Sequence, residues 1–101
     1  MTNFNEKTAF ITGGASGIGL GMAKAFLNAG ANVAIGDINE EQLLIAEKEL
    51  KTISENVISL KIDTTDPSTL ESASTKIGDS FGHLHYLCNL SLIHISEPTR
   101  L

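Results

Sequence analysis

Eight consecutive residues, Thr12-Gly13-Gly14-Ala15-Ser16-Gly17-Ile18-Gly19, lie where a short apolar run gives way to a helical pattern. Glycine at 13 permits a tight turn. Glycine at 17 lets backbone N–H groups approach a diphosphate, and glycine at 19 lets helix and strand pack closely. The amino end of the helix adds N–H donors and about half a positive charge, which suits an anion. A P-loop would cradle phosphate in the same way but needs Gly-Lys followed by Ser or Thr; the corresponding place reads Gly19-Leu20-Gly21 and fails that test. A ligand-free glycine turn is the other alternative, and the context tells against it. Asp37 stands 18 residues beyond Gly19, at the end of the next apolar run, near the offset expected of a ribose acceptor. A carboxylate there accepts hydrogen bonds from the adenosine 2′- and 3′-hydroxyls, whereas a 2′-phosphate would meet like charge. The flanking Gly36 and Ile38 offer no cation. NAD is therefore expected in preference to NADP.

These residues need elements to hold them. Residues 7–12 (Lys-Thr-Ala-Phe-Ile-Thr) form an apolar, β-branched run expected to be a buried strand. Ile18, Met22, Ala25, Phe26 and Ala29 recur at helical spacing, and Gly30 supplies a stop. Residues 32–37 read as a second strand. Asn39 looks like an N-cap, with Gln42 completing a capping box ahead of a helix that carries Leu43, Leu44, Ala46 and Leu50. Residues 57–62 read as a third strand closed by Asp63. Asp66 and Pro67 look like a cap and first residue of a helix running to about Ile77 and Gly78, rich in Ser and Thr. Residues 84–89 read as a fourth strand. Strands alternating with helices in this way predict an α/β fold with a parallel sheet.

Composition narrows the function. The 101 residues hold 12 acidic and 7 basic side chains, a formal charge of -5, and the single arginine is Arg100, so a reader of nucleic-acid backbone is disfavoured. No apolar run is long enough to span a bilayer, and the first residues resemble no secretory leader; the expectation is a cytoplasmic protein without membrane contact. One cysteine, Cys88, permits no internal disulfide and fits a reducing compartment. His83, His85, Cys88 and His94 suggest a metal cluster at first sight. Strand alternation places His83 and His85 on one face and Cys88 on the other, so no metal is expected.

The glycine motif is that of the short-chain dehydrogenase/reductases, Thr-Gly-x-x-x-Gly-x-Gly, and the chain resembles that family over about residues 5–89. The resemblance implies a Rossmann-type doubly wound sheet in the order 3-2-1-4. The first two helices would cover one face and the third the other. Members that prefer NADP often carry a basic residue before the middle glycine; here Ser16 stands there, in agreement with Asp37. The resemblance also implies that the corner at Asp63 and Thr64 brackets the adenine, with Asp63 on its amino group. Of an Asn-Asn-Ala-Gly turn after the fourth strand, only Asn89 is present. The implied cofactor residues are thus Gly13, Ser16, Gly17, Ile18, Gly19, Asp37, Ile38, Asp63, Thr64 and Asn89.

The family's catalytic serine and Tyr-x-x-x-Lys pair are not matched. The one tyrosine, Tyr86, is followed four positions later by Leu90, so no catalytic residue is assigned. By resemblance, the parent is a homo-oligomeric oxidoreductase passing hydride between NAD and an alcohol or ketone, and this segment is its inactive cofactor-binding front half. A dinucleotide sensor without catalysis and a functionless truncated product are the alternatives. Residues 90–100 (Leu-Ser-Leu-Ile-His-Ile-Ser-Glu-Pro-Thr-Arg) resemble, codon for codon, an in-frame translation of transposase-type sequencing-adapter DNA. They are expected to be a non-native tail, leaving 1–89 as the native part. Truncation there would leave the fourth strand as an apolar edge prone to aggregation.

Overall fold

A computed structural model describes residues 6–13, 15, 17–63 and 65–89, without the side chain of Asn89. Ser16, Thr64 and the proposed tail at 90–101 lie outside the described residues. The chain order is β1 (Thr8–Thr12), α1 (Gly17–Asn28), β2 (Asn32–Asp37), α2 (Glu40–Lys51), β3 (Val57–Lys61), α3 (Pro67–Phe81) and β4 (Tyr86–Asn89). All four strands are parallel, in the order β3-β2-β1-β4, as the resemblance implies.

β1 is buried along its whole length, which explains why it reads as an unbroken apolar run with no alternation. Alternation still decides which side chain meets which helix. Ile11, Val33, Ile35 and Val57 pack under Ala23 and Leu27 of α1 and Leu43, Ala46 and Leu50 of α2. Phe10, Ala34 and Leu60, with Ile62 just past β3, pack under Ala73 and Ile77 of α3. Right-handed crossovers require that division of helices between the two faces. A Lys24–Glu49 ion pair joins α1 to α2, and the Ser59 hydroxyl donates to Glu47 Oε1 at 2.7 Å between β3 and α2.

Small residues set the spacing on the α3 face. A Cβ placed on Gly36 would stand 2.9 Å from both Phe10 Cε1 and Ile62 Cδ1. Ile62 has a flexible end, but the Phe10 ring is buried and cannot give way as easily. Gly36→Ala is expected to cost about 1–3 kcal/mol through overpacking, measured by denaturant unfolding of the complete protein. An unchanged midpoint would show that this face has slack.

Three details depart from the sequence reading, and one bears it out. In α1 the buried stripe is Gly19, Ala23 and Leu27, with Ile18 and Ala25 turned to water. The large apolar residues mark the wrong stripe because glycine and alanine form the close contact. α1 ends as expected at Gly30, in a Schellman arrangement: Gly30 at φ 98° donates its N–H to Leu27 O, and Ala31 N–H reaches Phe26 O. α3 runs past Gly78 to Phe81 because Leu70, Ala73, Ile77 and Phe81 continue one apolar stripe, and Gly82 at φ 92° terminates it. Finally, β4 begins at Tyr86 instead of residue 84. His85 N–H donates to Thr8 O at 2.9 Å, but the Thr8 N–H is taken by the imidazole Nδ1 of His85 at 3.0 Å, so a side chain replaces a ladder carbonyl.

Candidate nucleotide-binding site

The carboxyl ends of the strands come level with one another. Thr12 is in register with Gly36 on one side and Asn89 on the other, and Asp37 with Lys61. Gly13 then turns away from β1 at φ 73°, a left-handed conformation that glycine adopts without a Cβ penalty. Its N–H donates to Gly36 O at 2.7 Å, which fastens the turn to the residue before Asp37. α1 begins at Gly17, where a Cβ would meet nothing within 4 Å, so the helix entrance faces open space. Gly19 is buried in the first turn. Ile18, 73% exposed, and the exposed Ile38 leave two apolar side chains uncovered, one beside the loop and one beside the carboxylate.

Asp37 is held at a sharp corner. Its carbonyl accepts from Ile62 N–H at 3.0 Å and its Oδ1 from Asn39 N–H at 3.2 Å. Asn39 in turn caps α2, its Oδ1 accepting from Gln42 N–H at 3.1 Å. The expected capping box is therefore half formed: the Asn39 N–H that Gln42 would have satisfied is claimed by Asp37. The carboxylate and the start of α2 are thereby one hydrogen-bonded unit.

The corner after β3 is tied more densely. Asp63 Oδ1 accepts from Thr65 N–H at 2.9 Å and from the Thr65 hydroxyl at 2.6 Å. These two donors hold the Asp63 carboxyl below its ordinary value, the hydroxyl contributing most, with a small opposing effect of desolvation. Asp66 caps α3, Oδ1 accepting from Ser68 N–H at 3.0 Å and from the Ser68 hydroxyl at 2.8 Å. Sequence reasoning found Asp63, Asp66 and Pro67 but not Thr65 or Thr69. The available signal was the alternation of Asp with Thr and Ser from 63 to 69, a pattern that favours side-chain-closed turns.

Asn89 ends β4 opposite Thr12, across the seam where the strand order reverses. The Thr12 hydroxyl spans that seam to Cys88 O at 3.4 Å. Tyr86 packs its ring 5.7 Å from Phe26 of α1, a structural position. Cys88 sits against the α1 side of the core, and burial pushes its thiol upward, which keeps it a poor nucleophile. Among the described residues, no group of three or more His, Cys, Asp or Glu is placed to hold a metal ion. Among the same residues no helix is long and apolar enough to cross a membrane.

A doubly wound parallel sheet with a glycine turn at the reversal of strand order and a carboxylate on the adjoining strand defines a Rossmann-type nucleotide-binding unit. The short chain dehydrogenase family model matches residues 7–100, running past Asn89, where the residue-by-residue resemblance ends. A short chain dehydrogenase/reductase of Macrophomina phaseolina is 42% identical over 93 residues, covering 91% of this chain and 53% of its own length. A 2,5-dichloro-2,5-cyclohexadiene-1,4-diol dehydrogenase of Sphingobium indicum is 38% identical over 89 residues, 87% of this chain and 36% of that protein. The crystal structure of a short chain dehydrogenase/reductase from Burkholderia phymatum in complex with NAD superimposes with a TM-score of 0.81 at 26% identity, over 86% of this chain and 31% of that one. The chain belongs to the short-chain dehydrogenase family and spans about half or less of the length of these relatives.

Proposed function

We propose that this segment is the adenosine-binding part of an NAD-dependent dehydrogenase or reductase acting on an alcohol or ketone. One observation carries the reading: the Gly13 N–H to Gly36 O bond sets the glycine turn directly beside Asp37, so a diphosphate and a ribose diol can be held at once. The residues suit the group they would hold. Amides at the entrance of α1 would receive the diphosphate, and the open space at Gly17 admits it. The Asp37 carboxylate would accept from the ribose hydroxyls, and Asp63 from the base. Asp37 also supports NAD over NADP, since a 2′-phosphate would be set against its charge.

When bound, the dinucleotide supplies a nicotinamide that exchanges hydride with substrate. This segment contributes binding and orientation to that chemistry. Tyr86, packed against Phe26 and with Leu90 four positions on where the family pattern has lysine, is not assigned a proton-transfer role. We read residues 90–101 as non-native sequence, and the parent as a cytoplasmic homo-oligomer. The test is a calorimetric titration of the complete protein carrying this segment with NAD and with NADP. Micromolar to sub-millimolar NAD binding and at least about tenfold weaker NADP binding are expected, one like-charge contact being worth that much. Failure to bind NAD overturns the proposal, and equal affinity for the two overturns the role given to Asp37.

A further inference from the structure

At the amino edge of the sheet, far from the glycine turn, one residue makes both bonds to its neighbour. The Thr8 carbonyl accepts from His85 N–H at 2.9 Å, and the Thr8 N–H donates to His85 Nδ1 at 3.0 Å. Thr8 is fully buried, and among the described residues its N–H has no second acceptor. Its hydroxyl is engaged separately, accepting from Asn32 Nδ2 at 3.4 Å. An imidazole nitrogen accepts only while it holds no proton. With Nδ1 accepting, the neutral ring carries its hydrogen on Nε2, whereas the charged ring has donors at both nitrogens. Turning the charged ring over cannot restore the bond, because either nitrogen then sets a donor against the Thr8 donor. A backbone carbonyl in the same place would accept at every pH. The side chain that replaces it makes this rung of the sheet conditional on charge.

We infer that His85 is a pH-sensitive latch between β1 and β4, closed on the Thr8 N–H by the neutral imidazole and opened by protonation. The sign follows from the chemistry of the acceptor: the bond is kept at higher pH and lost as the pH falls. His85 is exposed, so a proton reaches the ring without any opening of the sheet. The crevice beside it holds two further charges, Glu6 and Lys7, which are of opposite sign and lie ahead of β1. In its own loop stands His83, edge-on with ring centroids 6.5 Å apart. The segments leading into β2 and β3 and the end of α3 present only the uncharged Asn32, Asn56 and Phe81 there. His83 is the other group of imidazole chemistry in the crevice, but it makes no bond to Thr8. The latch is independent of nucleotide binding, which belongs to the opposite ends of the strands.

The test is amide hydrogen exchange, resolved to single residues, on the complete protein carrying this segment. It is run at about pH 7.5 and about pH 5.5, on either side of the point where a free histidine is half protonated. Rates are expressed as protection relative to an unfolded chain at the same pH. Protection at Thr8 is expected to fall about tenfold on acidification, the loss of one hydrogen bond on a buried donor. Protection at Val33, whose N–H donates to Asn56 O at 2.9 Å, should not change, because that bond has no titrating partner. In His85→Asn an amide oxygen hangs from Cγ as Nδ1 does, so Thr8 should be protected equally at both pH values. His83→Gln should keep the native response. No loss at Thr8, an equal loss at Thr8 and Val33, or a native response surviving in His85→Asn overturns the inference, as does its disappearance in His83→Gln. If His85→Asn does not fold, a loss confined to Thr8 in the native protein and retained in His83→Gln supports the latch, and any other pair of results overturns it.

Discussion

Gly17→Val is expected to remove measurable NAD binding from the complete protein, an affinity loss of about 100-fold or more, while leaving its unfolding free energy within about 0.5 kcal/mol of native. The two halves of that expectation come from one observation. A Cβ at position 17 would touch nothing within 4 Å, so the folded protein has room for the side chain. That room is the approach to the amino end of α1, where a diphosphate must come within hydrogen-bonding distance of the main chain. A branched side chain there holds the anion away from its donors. In addition, glycine is a poor helix former, so its replacement offsets part of any cost to folding. Denaturant unfolding and titration of the same preparation check both halves. A variant that unfolds early would show that the glycine is architectural, and one that binds NAD normally would place the diphosphate elsewhere.

Asp37→Ala is the second large effect. Two hydroxyl donors on a ribose would lose an ionic acceptor, each such bond contributing about 1.5–3 kcal/mol, so NAD affinity is expected to fall by about 100-fold or more. Binding of NADP should change far less, because the same substitution removes the charge that opposes its phosphate. The preference between the two cofactors should therefore shrink or invert. Asp37 Oδ1 also accepts from Asn39 N–H, so the alanine variant loosens the corner leading into α2. Asp37→Asn separates the two contributions: its amide oxygen can keep the Asn39 bond while the charge is gone. If Asp37→Asn binds NAD as tightly as native, the charge has no part in recognition.

How far the sequence disclosed all this depended on which atoms carry each feature. The turn at Gly13 and the acid at Asp37 were legible because they are fixed by residue type: only glycine enters a left-handed turn cheaply, and a carboxylate at a strand end has few other uses. Strand order was implied by the family resemblance, and the sharing of helices between the two faces followed from the handedness of crossovers. The stripe of α1 was misjudged because its innermost residues, Gly19 and Ala23, are small, and periodicity in large side chains points past them. The capping box at Asn39 was half right, since the competing acceptor, Asp37, sits upstream of the pattern. Thr69 stayed hidden because its three contacts depend on where a hydroxyl falls once α3 has docked, a distance no local pattern encodes.

The fastening of β4 has a consequence for how the nucleotide crevice is completed. β1, β2 and β3 are laced together through α1 and α2 by neighbours close in sequence, but the bond just ahead of β4, from Thr8 N–H to the His85 side chain, spans a separation of 77 residues. Leu87, on the side shared with Phe10, is 59% exposed in this segment, while Tyr86 and Cys88 pack toward α1. One wall of the crevice is thus formed by a strand that joins β1 only across a long stretch of chain. A dinucleotide lodged between Thr12 and Asn89 would act as a clasp, adding its own contacts to a junction between residues far apart in sequence.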